Sequence, residues 1–115
     1  MNLSNKIERR KHDRIKVRWP VTVFTDHGMI KGETGNITVD GIFICCEEPL
    51  RLNEIFPASM DPPNHQTIWF TGKAIWSDFY AVDDQDTAFG TGICFVKVSD
   101  GDRHFFDQVV SAHPE

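Results

Sequence analysis

Ile15-Lys16-Val17-Arg18-Trp19-Pro20-Val21-Thr22-Val23 carries an apolar side chain at every odd position, with Lys16, Arg18 and Thr22 between them. Side chains of an extended chain alternate between faces, so this is the pattern of a strand with one face buried. Pro20 has no amide hydrogen to give and places that strand at an edge or a bulge. Similar segments follow at short spacing. Asp26-His27-Gly28 reads as a turn, 29–37 as a second strand, Gly41–Cys46 as a third, with Val39-Asp40-Gly41 as the bend of a hairpin between them. Ile55–Met60 is a fourth strand closed by Asp61-Pro62-Pro63-Asn64. Residues 66–77 then alternate Ile68, Phe70, Gly72, Ala74 and Trp76 against mostly polar neighbours. A polar loop at Asp83-Asp84-Gln85-Asp86 leads to a last strand, 88–98.

Ser99 offers a helix N-cap, with Asp102 at the capping-box position, and Phe105, Phe106, Val109 and Val110 recur on one face. A short helix over 99–112 is expected to pack on the sheet. Evenly spaced strands with one helix point to an all-β fold, a small six-stranded antiparallel β-barrel whose closure removes exposed edges. At 115 residues the chain has room for one core. The expected organisation is a basic N-terminal arm over 1–14 and a single domain over 15–112, with the barrel at about 15–98.

The net charge is -5, unevenly placed. Residues 6–18 hold seven basic side chains against two acidic ones, or +5, leaving five basic and fifteen acidic elsewhere, or -10. A body so acidic disfavours polymeric nucleic acid or an anionic membrane, while a local anion site at the arm remains open. Three cysteines, Cys45, Cys46 and Cys94, have no disulfide-framework spacing, and no apolar run approaches the ~18 residues of a membrane span. A soluble cytoplasmic protein without membrane insertion is expected. Cys45 and Cys46 face opposite sides of a strand, and no histidine stands at metal-ligand spacing. Cys94, in an apolar strand, reads as a buried inert thiol. No nucleophile–base arrangement or phosphate-binding glycine loop is visible, so neither enzymatic activity, a metal nor a cofactor is expected.

Two short stretches carry the functional reading: Arg10-Lys11-His12-Asp13-Arg14 and, 22 positions after Arg14, Asn36-Ile37-Thr38-Val39-Asp40-Gly41. Guanidinium forks bind phosphate oxygens or the O6/N7 edge of guanine in bidentate fashion. Asn36 and Thr38, two apart on an extended chain, share a face. An arm of this charge with few apolar anchors is expected to be flexible, and a guanine nucleotide suits the pairing of arm and shelf. Gly41 answers a positive φ or a close approach of ligand to backbone.

RxxxR followed by (D/N)x(S/T)xxG resembles the signature of the PilZ family, bacterial domains that typically bind the second messenger cyclic di-GMP. The resemblance runs from about Glu8 to Phe106 and includes Gly72-Lys73-Ala74-Ile75-Trp76 and Gly90-Thr91-Gly92-Ile93-Cys94-Phe95. It implies a six-stranded barrel followed by a helix. It also implies that Arg10 and Arg14 grip phosphates and guanine edges, and that Asn36, Thr38 and Gly41 form the facing shelf. Thr38 departs from the usual Ser by one methyl, which restricts its rotamer and keeps the hydroxyl. Arg9, a basic residue just before the motif, is associated in such domains with two stacked cyclic di-GMP molecules rather than one. Trp76 corresponds to a Trp beside the ligand; ordinary core packing is equally open to it. The implied function is that of a receptor relaying the messenger to an unknown downstream protein through ordering of the arm, in motility, attachment or exopolysaccharide control. The alternative is a ligand-free adaptor that docks on a pilus or signalling protein.

Overall fold

The computed structural model describes residues 15–81 and 87–112. Six strands precede one helix: β1 (Pro20–Thr25), β2 (Gly28–Ile37), β3 (Gly41–Cys46), β4 (Ile55–Met60), β5 (Ile68–Ala81), β6 (Thr87–Val98) and α1 (Asp100–Ala112). They pair antiparallel in the order β1-β2-β3-β6-β5-β4, and β1 against β4 closes the barrel. The all-β barrel with a terminal helix expected above is therefore the observed fold. The proposed arm and the loop at 83–86 lie outside the described residues.

The first strand differs from its expected span. Regular pairing begins at Pro20, the first residue of β1, where a missing N–H costs no ladder bond, and the Pro20 carbonyl accepts from the Asp61 amide at 2.9 Å. Residues 15–19 instead lie along β2. Ile15 exchanges two main-chain hydrogen bonds with Ile37, of 3.1 and 2.9 Å, and the Trp19 amide donates to Thr34 Oγ1 at 2.9 Å. The alternation of apolar residues over 15–23 is real, since Ile15, Trp19, Val21 and Val23 are all buried, but it serves two separate pairings. Pro57 also has a positional reason: β4 pairs with β1 only over Ala58–Met60, so the proline stands just outside that ladder.

Inward-facing side chains such as Val21, Val23, Ile44, Phe56, Met60 and Ile93 fill the barrel. Ser99 Oγ accepts from the Asp102 amide at 3.1 Å and starts α1. The helix buries Phe106 and Val110 fully, each worth about 2 kcal/mol of apolar transfer. Phe95 stacks on Phe106 at 4.9 Å between centroids, and Trp19 and His65 flank Phe105. Trp69 lies on the outer face, 62% exposed and stacked on Phe24.

Thr91 is fully buried in β6, paired in register with Ile44, and its hydroxyl has no hydrogen-bond partner among the described residues. A buried hydroxyl without a partner forfeits its water contacts for nothing in return. Thr91→Val is thus expected to stabilise the domain by about 1 kcal/mol, read as a higher urea midpoint at unchanged slope.

Candidate functional site

Two bulges shape the outer wall of the barrel. Thr34 and Ile37 are three apart on β2 yet both buried, which a regular strand forbids; the extra residue is Gly35, where the β2–β3 register shifts. On β5 the register shifts at Ile75, between Ala74, which pairs with Ile93, and Trp76, which pairs with Gly92. Plain alternation would put Trp76 inside with Ala74. The bulge turns it outward instead, leaving it 45% exposed.

Asn36, Thr38, Gly41, Phe43, Trp76 and Gly92 then share one open cleft of about 410 Å³, with Asp40, Ile75 and Cys94 completing its rim. Four sequence-identified residues, Asn36, Thr38, Gly41 and Trp76, are brought together here. Arg9, Arg10 and Arg14 lie outside the described residues. Phe43, Ile75, Gly92 and Cys94 also line the cleft, and nothing in the sequence alone marks them as site residues. Only the register reveals them, because Gly41 pairs with Cys94 and Phe43 with Gly92. The reading of Cys94 as buried needs correction: it alternates with inward Ile93, is half-buried and faces the cleft. Cys46, by contrast, points into the core, donates to the Glu48 carbonyl at 3.2 Å, and burial pushes its thiol up to about 11.

Thr38 organises the turn. Its Oγ1 accepts from the amides of Asp40 and Gly41 at 3.1 and 3.2 Å, and its own amide donates to the Gly41 carbonyl at 2.9 Å. Such side-chain caps make a tight turn without a special backbone conformation. Gly41 is not in the left-handed region, and its reason is local: an added Cβ would fall 2.1 Å from the Ile93 carbonyl oxygen. The turn is fastened from outside as well, since the Phe95 amide donates to the Asp40 carbonyl at 2.9 Å and Arg103 Nη1 on α1 donates to the Val39 carbonyl at 3.4 Å.

Trp76 and Phe43 are stacked, with centroids 5.4 Å apart and planes inclined by 25°. The indole covers Gly92, where a Cβ would come within 2.2 Å of Trp76 Nε1. A flat apolar floor with an amide and a tight turn at one side suits a planar heterocycle with hydrogen-bonding edges. Among the described residues no group of three His, Cys, Asp or Glu side chains could hold a metal, and no helix is long and apolar enough to cross a membrane.

The PilZ domain family profile matches residues 8–111, nearly the whole chain. The chain belongs to the PilZ family. Solved PilZ structures share its fold. The PilZ domain with c-di-GMP of YcgR from Escherichia coli has a TM-score of 0.75 at 14% identity, covering 90% of each chain. The Bacillus subtilis inhibitor of motility MotI/DgrA has a TM-score of 0.75 at 15% identity, covering 97% of this chain and 56% of that one. The K. pneumonia MrkH-c-di-GMP complex reaches 0.77 at 12% identity, covering 91% and 52%. This PilZ chain thus spans about half the length of MotI and MrkH. No curated protein sequence matches it significantly.

Proposed function

We propose that this PilZ domain is a receptor for cyclic di-GMP, with no chemistry of its own, and that the dinucleotide lies in the cleft between Asn36 and Trp76. The observation that carries this is the convergence of Asn36, Thr38, Gly41 and Trp76 on one cleft beside Ile37, to which Ile15 is hydrogen-bonded. The structures of YcgR and MrkH with c-di-GMP support the choice of ligand.

The Asn36 amide, donor and acceptor at once, matches a guanine edge, and the indole of Trp76 offers a face for the base. Arg14 is covalently next to Ile15, its Cα therefore about 3.8 Å from that anchor, and Arg10 is within about 17 Å of it along an extended chain. Both motif arginines can thus reach a phosphodiester lying over Asn36. Arg9 would stack on and pair with a second, stacked molecule. Closure of the arm over the ligand changes the surface offered to a downstream protein, which is the proposed relay.

Calorimetric titration of cyclic di-GMP into the wild type, Arg10→Ala and Asn36→Ala tests this. Wild-type binding, weakened by about one to two decades in Arg10→Ala, is expected. A stoichiometry of two, falling to one in Arg9→Ala, would support the stacked pair. Absence of wild-type heat at several temperatures would sink the receptor reading and leave the ligand-free adaptor.

A further inference from the structure

The two cleft aromatics are seated in the same way, and neither seat belongs to the motif. Trp76 of β5 leans across Gly92 of β6, while Phe43 of β3 leans across Gly35 of β2, where an added Cβ would meet Phe43 Cδ2 at 2.8 Å and Cε2 at 3.2 Å. Because the barrel runs β2-β3-β6-β5, Phe43, Gly92 and Trp76 form one row across β3, β6 and β5, and Gly35, the bulge residue next to Asn36, the register partner of Phe43, flanks the row on β2. In this row the Phe43 ring is the lateral stop for the indole, at 5.4 Å.

We infer that Phe43, held over Gly35, is a positioning residue for ligand binding: it fixes the exposed indole of Trp76 in the orientation that receives a guanine base. This rests on the cyclic di-GMP reading and adds to it a residue outside both motifs. The physical reason is entropic. A half-exposed indole on a bulge has rotamers to lose when a base stacks on it, and a ring already pinned between a neighbouring ring and a bare backbone has lost them during folding. Removing the stop restores that freedom and charges it against the ligand.

The test combines affinity with a signature of the ring itself. The indole Nε1–H resonance of Trp76, assigned by its disappearance in Trp76→Phe, is followed in the ligand-free protein together with calorimetric binding of cyclic di-GMP. Phe43→Ala is expected to shift that resonance and to weaken binding about tenfold. Phe43→Tyr, which keeps the ring, regains both. Gly35→Ala pushes the Phe43 ring from beneath and is expected to act in the same direction by a smaller factor, so it decides the matter if Phe43→Ala does not fold. An unmoved indole resonance in these variants, or wild-type affinity in both Phe43→Ala and Gly35→Ala, overturns the role of Phe43. Lack of binding by the wild type overturns the ligand reading instead, and the ligand-free resonance then still shows whether Phe43 fixes the indole.

Discussion

Gly41→Val is expected to destabilise the domain by about 3 kcal/mol or more, beyond the usual cost of an overpacked site. The reason is where the new atoms would go. A Cβ at position 41 lies 2.1 Å from the Ile93 carbonyl oxygen and 3.0 Å from the Cys94 Cα, both backbone atoms of β6 that no side-chain rotation can move aside. Relief would require β3 and β6 to separate, yet the turn is tied on both sides. Thr38 caps it from within, and the Asp40 carbonyl accepts from the Phe95 amide of β6 itself. Separation would break that bond and the Gly41–Cys94 pairing together. Urea denaturation should show a large fall in midpoint. Gly101→Ala is the matching control: open space surrounds that helical position, so it should stabilise by up to about 1 kcal/mol. If Gly41→Val unfolded at the wild-type midpoint, β6 would not be clamped as described, and the motif glycine would need a ligand-based reason instead.

That result bears on what a sequence can reveal. Residues 29–37, Gly41–Cys46 and Ile55–Met60 are legible as strands because their alternation and flanking turns are local properties, and the barrel finds them within a residue. Residues 99–112 are legible as a helix for the same reason, a cap followed by a periodic apolar face. The rest depends on partners. Nothing in Ala74-Ile75-Trp76 marks the bulge, so alternation aligns Trp76 with the core, and only the pairing of Ala74 with Ile93 and Trp76 with Gly92 turns it out. Cys94 is misjudged likewise, because an apolar strand does not say which of its faces meets a cleft. β5 runs on to Ala81, beyond the expected end at Ser77, because its cross-strand pairing with β6 continues from Asp78 opposite Gly90 to Ala81 opposite Thr87. At the site, the motif residues Asn36, Thr38 and Gly41 are visible by spacing, whereas Phe43, Gly35 and Gly92 matter through atoms that lie on other strands.

Thr34→Val should cost about 3 kcal/mol although the two side chains are nearly the same shape. Thr34 is buried, and its hydroxyl is the only part of it that differs from valine. That hydroxyl donates to the Val17 carbonyl and accepts from the Trp19 amide at 2.9 Å, stitching the segment before β1 onto β2. Valine leaves the part-buried Val17 carbonyl and the buried Trp19 amide without this partner, at about 1–3 kcal/mol for a fully buried group, and the gain from burying a methyl in place of the hydroxyl offsets only part of it. Thr34→Ser keeps the oxygen and loses one methyl, about 1 kcal/mol, so serine should lie nearer the wild type than valine does. Hydrogen exchange locates the effect. The Trp19 amide should exchange faster in Thr34→Val than global destabilisation alone requires, while the Val23 amide, in the β1 ladder, should follow the global change. The same substitution reaches the proposed function, because residues 15–19 join the motif arginines to the cleft. A less firmly held root raises the entropy that the arm must lose on closing, so cyclic di-GMP should bind more weakly with every arginine intact. If the Trp19 amide stayed as protected in the valine variant as in the wild type, the hydroxyl would not be the fastening, and the main-chain bonds of Ile15 with Ile37 and of the Thr34 amide to the Trp19 carbonyl would have to hold the segment.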